Sequence, residues 1–160
     1  MLTLIDPGAG SDTRIGPSLD KEARLQAWEA EGGKIATSDE NMRILIVDND
    51  ERSADSLELM LHAMDFPQTR IAHSGRDALM IAAQFAPDVV LLELDLLDTD
   101  GYELAQELRE RAQGESLRII VLTSSREHPG RERARVAGCE RYLLKPVAAL
   151  DLLEILQMPV

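Results

Sequence analysis

The sequence predicts an α/β fold in which a five-stranded parallel sheet carries helices on both faces. From residue 43 onward, short apolar runs alternate with amphipathic segments. Some runs, such as Val89 to Leu92, are apolar at every position, which is typical of strands buried on both sides. Right-handed crossovers between parallel strands then give a doubly wound arrangement.

The predicted elements alternate along the chain, with each amphipathic helix following an apolar strand. Strands are predicted at Arg43–Val47, Thr69–Ala72, Asp88–Leu92, Arg118–Leu122 and Arg141–Leu144. Helices are predicted at Ala54–Met64, Arg76–Phe85, Tyr102–Ala112, Arg131–Val136 and Ala148–Gln157.

Residues 1–42 are predicted to form an extension in front of a domain at residues 43–160. The extension is rich in glycine and proline, which favours irregular structure. One short helix is predicted within it at Leu19–Ala30. Leu25 and Trp28 would share one face of that helix, and this face either docks on the domain or contacts a partner.

The composition argues against several classes of partner. The chain has 160 residues and a net charge of −12, whereas nucleic-acid binding needs clustered lysine and arginine. No apolar run approaches the ~20 residues of a membrane span, and the first residues lack the basic flank of a signal peptide. The single cysteine, Cys139, fits a reducing compartment. We expect a cytoplasmic protein that binds neither nucleic acid nor membranes.

The histidines and the cysteine are predicted to have surface or packing roles. His62, His73 and His128 lack the spacing of metal ligands. Cys139, beside Gly138, is predicted to be a small core residue.

Polar residues follow four of the predicted strands. Asp48-Asn49-Asp50 follows the first strand, Glu93 ends the third, Thr123-Ser124 follows the fourth and Lys145 follows the fifth. Because ligands in open α/β sheets bind at the carboxyl ends of the strands, we expect Asp48, Glu93, Thr123 and Lys145 to meet at one edge.

This set of residues resembles the phosphorylation site of bacterial response-regulator receiver domains, in the style of the single-domain chemotaxis regulators. The segment Pro87 to Gly101, PDVVLLELDLLDTDG, is similar to the family's acceptor segment. The spacings from Glu93 to Asp48, Thr123 and Lys145 are similar to those of the family. The resemblance covers residues 43–157 and implies the flavodoxin-like strand order 2-1-3-4-5.

Two departures from the family pattern fall in the acidic pocket. Glu93 stands where the family has its phosphate-accepting aspartate, and Asn49 replaces the second acid. Asp48 matches the first acid, and Asp95 occupies the position whose carbonyl usually completes a Mg²⁺ shell. The resemblance therefore implies at most a weak Mg²⁺ site at Asp48, Glu93 and Asp95, because hard divalent cations need several oxygen ligands.

The positions that read out phosphorylation in the family are retained as Thr123, Tyr142 and Lys145. The resemblance also implies a partner face around Arg131, Arg135 and Tyr142. An ordinary solvated helix is the better explanation of the arginines, and an acidic partner surface is the alternative. A histidine kinase or a downstream effector is the expected partner, and a homodimer is compatible with the same face. We expect no output domain after Val160.

The resemblance leads to the prediction of an atypical receiver that signals through protein contact without phosphorylation and is not an enzyme. Glu93 either mimics the phosphorylated state, because its longer side chain reaches toward Thr123 and Lys145, or pairs with Lys145 in an inert scaffold. Both interpretations remain open on the sequence.

Three alternatives come from other functions. A phosphotransfer-competent receiver would use another aspartate as acceptor. A haloacid-dehalogenase-like phosphatase would use Asp48 as nucleophile and Asp50 as general acid, but Glu51-Arg52 replaces the glycine and hydroxyl usual there. A flavodoxin-like cofactor binder is disfavoured because carboxylates after the first strand would repel a phosphate.

Overall fold

A computed structural model describes residues 41–113, 116–124 and 131–158, apart from the side chains of residues 131 and 134. The predictions for the extension helix and for His128 lie outside these residues. In the described part of the chain, no helix is both long enough and apolar enough to cross a membrane.

Five strands and five helices alternate through the described residues, as predicted. The strands are β1 (Ile44–Val47), β2 (Thr69–Ala72), β3 (Val89–Glu93), β4 (Arg118–Thr123) and β5 (Cys139–Leu144). The helices are α1 (Glu51–Ala63), α2 (Gly75–Phe85), α3 (Gly101–Arg111), α4 (Arg131–Val136) and α5 (Ala149–Gln157).

The strands form one parallel sheet in the order β2-β1-β3-β4-β5. This confirms the predicted doubly wound fold and strand order. Val47 lies beside Leu92, Glu93 beside Leu122 and Thr123 beside Leu144. The carboxyl ends of β1, β3, β4 and β5 therefore lie at one edge of the sheet.

Each face of the sheet has its own apolar core, since successive side chains of a strand point to opposite faces. Ile44 and Ile46 of β1 belong to the cluster that packs against α1 and α5, with Leu57, Leu61 and Leu152 among its members. Leu45 and Val47 belong to the opposite cluster, with Ala78, Leu104 and Leu108 of α2 and α3.

Two predicted boundaries are wrong by more than one residue. Helix α1 begins at Glu51 rather than Ala54, because the Asp50 side chain accepts a hydrogen bond from the backbone N–H of Arg52 and caps the helix there. Strand β5 begins at Cys139 rather than Arg141. Cys139 packs half-buried against the core instead of lying within it.

Candidate functional site

Asp48, Glu93 and Lys145 meet at the carboxyl edge of the sheet, as the sequence predicts. The Lys145 Nζ lies 2.7 Å from Oδ2 of Asp48 and 2.8 Å from Oε1 of Glu93. Asp48 and Glu93 are only 1% and 6% exposed. One ammonium group therefore bridges two buried carboxylates. We call Asp48, Glu93 and Lys145 the acidic pocket.

The second oxygen of each carboxylate accepts a backbone hydrogen bond. The N–H of Asp50 donates to Oδ1 of Asp48 at 2.9 Å, and the N–H of Leu94 donates to Oε2 of Glu93 at 2.8 Å. The strand ends and the loops that follow them thus orient both side chains. In the charged state each carboxylate has a partner on both oxygens, which a buried charge requires.

The pocket holds a formal charge of −1 when all three groups are ionised. Burial lowers the pKa of Lys145, but hydrogen bonds to Asp48 and Glu93 outweigh this and raise the pKa above its ordinary value. The lysine therefore stays charged at neutral pH. Removing one partner of a buried ion pair commonly costs about 3–5 kcal/mol, because a charge is left uncompensated.

The expected Mg²⁺ site would share its carboxylates with Lys145. Lys145 already contacts both Asp48 and Glu93, and Asp95 is exposed in the following loop. Within the described ranges, no three His, Cys, Asp or Glu residues are grouped as a metal site. Asp95 is expected to contribute its backbone carbonyl rather than its side chain, so the weak site at Asp48, Glu93 and Asp95 stays a prediction.

Thr123 reaches the same edge as the last residue of β4, where it is buried. The backbone N–H of Lys145 donates to its carbonyl oxygen at 2.7 Å. This bond fixes the end of β4 against the start of the Lys145-Pro146 turn.

Tyr142 contacts the first turn of α3. Its hydroxyl lies 2.7 Å from the hydroxyl of Tyr102, 40 positions earlier in the sequence. Both side chains are part-buried. No sequence pattern indicates this pair, since a polar contact between distant side chains depends on their rotamers.

The predicted partner face is only partly basic. Arg135 is 72% exposed, but it pairs with Glu132 of the same helix at 2.5 Å. Arg133 pairs with Asp100 at 3.0 Å. The side chain of Arg131 lies outside the described atoms. These pairs reduce the local positive charge on which the prediction of an acidic partner depended.

Residues 94–100 form the loop between β3 and α3, and it is attached to two helices. Asp98 accepts hydrogen bonds from the backbone N–H groups of Gly75 and Arg76 at the start of α2, at 2.9 and 3.1 Å. These bonds lower the pKa of Asp98 below its ordinary value. Asp100 caps α3 through the N–H groups of Tyr102 and Glu103.

Gly101 allows this loop to return close to the end of β3. A Cβ at Gly101 would lie 2.7 Å from the Cα of Leu94, so any other residue would displace the backbone. The Asp100-Gly101 pair therefore serves both as helix cap and as the point of close approach.

The two described histidines make hydrogen bonds rather than a metal site. His62 Nε2 lies 2.9 Å from Oγ1 of Thr69, and His73 Nδ1 lies 2.9 Å from the carbonyl oxygen of Asp48. His73, directly after β2, thus contacts the backbone of Asp48 beside the acidic pocket, a contact that no sequence pattern indicates. Burial raises the pKa of Cys139 to about 11, so its thiol stays protonated at neutral pH.

Comparisons with known proteins agree with the fold. Residues 44–157 match the family model of the response regulator receiver domain. The chain is 33% identical over 116 residues to an uncharacterized 14.6 kDa protein of Leptolyngbya boryana, covering 72% of this chain and 88% of that protein. It is 36% identical over 112 residues to the response regulator MprA of Mycobacterium avium.

The match to MprA covers 70% of this chain but only 48% of MprA, so the chain spans about half the length of that regulator. Among solved structures, a putative response regulator from Chloroflexus aurantiacus is 30% identical with a TM-score of 0.66. That alignment covers 72% of this chain and 94% of the other. The chain belongs to the family of response regulator receiver domains of two-component signalling.

Proposed function

We propose that this receiver domain does not accept phosphate and signals by protein contact from a fixed state of its acidic pocket. The observation that carries the proposal is the position of Glu93. Its carboxylate stands at the end of β3, bonded to Lys145 at 2.8 Å and to the N–H of Leu94 at 2.8 Å. We assign Glu93 to the acceptor position, with Asp48 and Asn49 as the acidic pair of the family.

Two physical arguments disfavour phosphoryl transfer at Glu93. Both oxygens of the carboxylate already have partners, so attack would require the Lys145 and Leu94 contacts to be released. Phosphoryl transfer also depends on a cation that neutralises the transferred group. In this pocket Asn49 supplies no charge, and Lys145 occupies the carboxylates that would bind the metal. We therefore propose that Mg²⁺ binding is weak.

Glu93 is proposed to supply a permanent negative charge beside Lys145. This charge produces either an active-like state or an inert one. Measuring partner binding after the charge has been removed decides between them. Thr123, Tyr142 and Lys145 are the proposed readout residues. The partner itself is proposed to be a signalling protein, either a histidine kinase or a downstream effector.

The proposed partner face comprises α4 and the adjacent end of β5, which we call the α4–β5 face. Arg131, Arg135 and Tyr142 belong to it. Arg135 is 72% exposed and Val136 is 66% exposed, and Leu144 is also accessible. The proposed face therefore combines exposed apolar side chains with a charged one.

The alternative of phosphate transfer to another aspartate has less support. Asp48 is buried and bonded to Lys145, and Asp95 is exposed in the loop after β3, outside the pocket. A phosphatase using Asp50 as general acid is also disfavoured, because Asp50 caps α1 through the N–H of Arg52.

Binding of the partner to two variants tests the proposal. Glu93→Gln removes the charge but keeps the side-chain length, and Arg135→Glu reverses a charge on the α4–β5 face. We expect both variants to weaken binding in a pull-down, and the effect of Arg135→Glu to shrink as salt is added. Arg111→Glu is the control, since Arg111 is 60% exposed on α3 and also pairs within its own helix.

If Glu93→Gln and Arg135→Glu bind partners as well as the native protein, both the permanent charge and the proposed face are wrong. The domain would then be an inert scaffold that contacts its partner elsewhere. Loss of binding in Arg111→Glu as well would mean that overall charge, rather than this face, governs the contact.

A further inference from the structure

We propose that Tyr102 and Arg133 are positioning residues that hold Tyr142 and helix α4 in one arrangement. Neither residue contacts the acidic pocket through any bond described above. Their effect on a partner rests on the proposed function, but the arrangement itself is a property of the isolated domain. We call Tyr102, Tyr142, Arg133 and Asp100 the α3 clamp.

The first part of the α3 clamp is the pair of hydroxyls. Tyr102 lies in the first turn of α3, and Tyr142 lies in β5. Their oxygens are 2.7 Å apart, an ordinary length for an O–H···O hydrogen bond. Because each phenol can both donate and accept, either can supply the proton. The bond restricts the ring of Tyr142 at a part-buried position.

The second part joins α4 to the same turn of α3. The guanidinium carbon of Arg133 lies 4.8 Å from the centre of the Tyr102 ring, within the range of a cation–π contact. The Nη2 of Arg133 also lies 3.0 Å from Oδ2 of Asp100, the residue that caps α3. One side chain of α4 therefore contacts both the ring of Tyr102 and the cap that precedes it.

These contacts matter because α4 is not packed tightly against α3. An open groove of about 210 Å³ runs between the two helices, and Tyr102, Arg133 and Val136 are among the residues that line it. The described part of helix α4 is Arg131–Val136, and a helical segment of this length depends on its tertiary contacts. Polar contacts of Arg133 therefore contribute more to its position than they would in a close-packed interface.

The backbone of one loop also connects the α3 clamp, and with it the α4–β5 face, to the acidic pocket. The loop of residues 94–100 begins at the N–H that binds Glu93 and ends at Asp100, which binds Arg133. A change at Glu93 that moves this loop would therefore reach α4 through Asp100. This gives the physical connection between the two sites that such coupling requires.

Fluorine NMR can test the α3 clamp, because Tyr102 and Tyr142 are the only two tyrosines in the sequence. Protein labelled with 3-fluorotyrosine should give two resonances. Tyr102→Phe removes the resonance of residue 102. It keeps the aromatic ring but removes the hydroxyl that contacts Tyr142. We expect the remaining Tyr142 resonance to shift by more than its linewidth. A Tyr142 resonance at its native position would overturn the hydroxyl pair.

Two arginine variants on α4 separate the clamp from general effects of charge. Arg133→Gln should shift the Tyr102 resonance, because it removes the cation above that ring. Arg135→Gln is the matched control, since Arg135 pairs with Glu132 and has no described contact with either tyrosine. Equal shifts in the two variants would contradict the proposed role of Arg133. Melting temperatures near that of the native protein would show that the fold is retained.

Partner binding to Tyr102→Phe distinguishes this inference from the proposed function. A shifted Tyr142 resonance with weakened binding supports both. A shifted resonance with unchanged binding supports the clamp and contradicts the use of the α4–β5 face. An unshifted resonance contradicts the clamp whatever the binding result.

Discussion

Lys145 Nζ lies 2.8 Å from Oε1 of Glu93, and the same ammonium lies 2.7 Å from Oδ2 of Asp48. The ion pair joins the ends of β3 and β5, two strands that are not adjacent in the sheet. It also brings a second carboxylate from β1 to the same cation. Lys145 therefore neutralises one of the two carboxylate charges, which leaves the pocket with a formal charge of −1.

Replacing Lys145 by methionine should destabilise the fold strongly. Lys145→Met leaves Asp48 and Glu93, both buried, without their shared cation. We expect a loss of about 3–5 kcal/mol in the free energy of unfolding, measured by urea denaturation.

Glu93→Gln is the comparison variant for this measurement, because it retains the pair between Lys145 and Asp48. It should lose less stability than Lys145→Met. The double variant Lys145→Met/Glu93→Gln should recover part of the loss, since it buries one charge instead of two. Additive effects of the two changes would contradict a shared ion-pair network.

Asp98 should make the stability of the domain depend on pH in the acidic range. Hydrogen bonds from the N–H groups of Gly75 and Arg76 lower its pKa from the ordinary 3.8. A group whose pKa is lower in the folded state stabilises it above pH 3.8 and loses that contribution as the pH falls through the lower folded value. The melting temperature of Asp98→Asn should therefore lie below the native one at pH 6 and approach it in acid.

Asp95→Asn is the control for Asp98, since Asp95 is an exposed acid of the same loop. Its difference from the native melting temperature should be small. If Asp98→Asn melts at the native temperature at pH 6, the bonds from the loop to α2 do not contribute to stability.

The protein should bind Mg²⁺ only in the millimolar range or more weakly, because the pocket has two carboxylates and both contact Lys145. Calorimetric titration measures the affinity directly. Asn49→Asp should strengthen binding by adding a carboxylate beside Asp48, and Asn49→Ala should not. Micromolar binding by the native protein would show that the cation displaces Lys145 readily, contrary to this account.

The sequence was sufficient for the site at the edge of the sheet because strand order alone determines which strand ends meet. Asp48, Glu93 and Lys145 each follow an apolar run, so their meeting required no knowledge of side-chain conformation. The start of β5 was not predicted, because its first residues do not form an apolar run. Cys139, Glu140 and Arg141 lie in an edge strand that is largely exposed, and such a strand shows no continuous apolar run.

The contacts around the site could not be predicted in the same way. The bond between Tyr102 and Tyr142 depends on the rotamers of two side chains from different elements. Asp98 caps a helix that precedes it in the sequence, and Ser74 already supplies the local cap of that helix. Sequence signals for capping act over a few residues, so a cap from a distant loop leaves no pattern.

The absence of phosphorylation is the central claim, and mass spectrometry after incubation with acetyl phosphate and Mg²⁺ tests it most directly. The native protein should gain no phosphoryl group. Glu93→Asp/Asn49→Asp, which restores both acids of the family pattern, is the positive control and should gain one, whereas Glu93→Asp alone should gain it only weakly. A stable phosphoryl adduct on the native protein, mapped to Asp48, Asp95 or Glu93, would contradict the account.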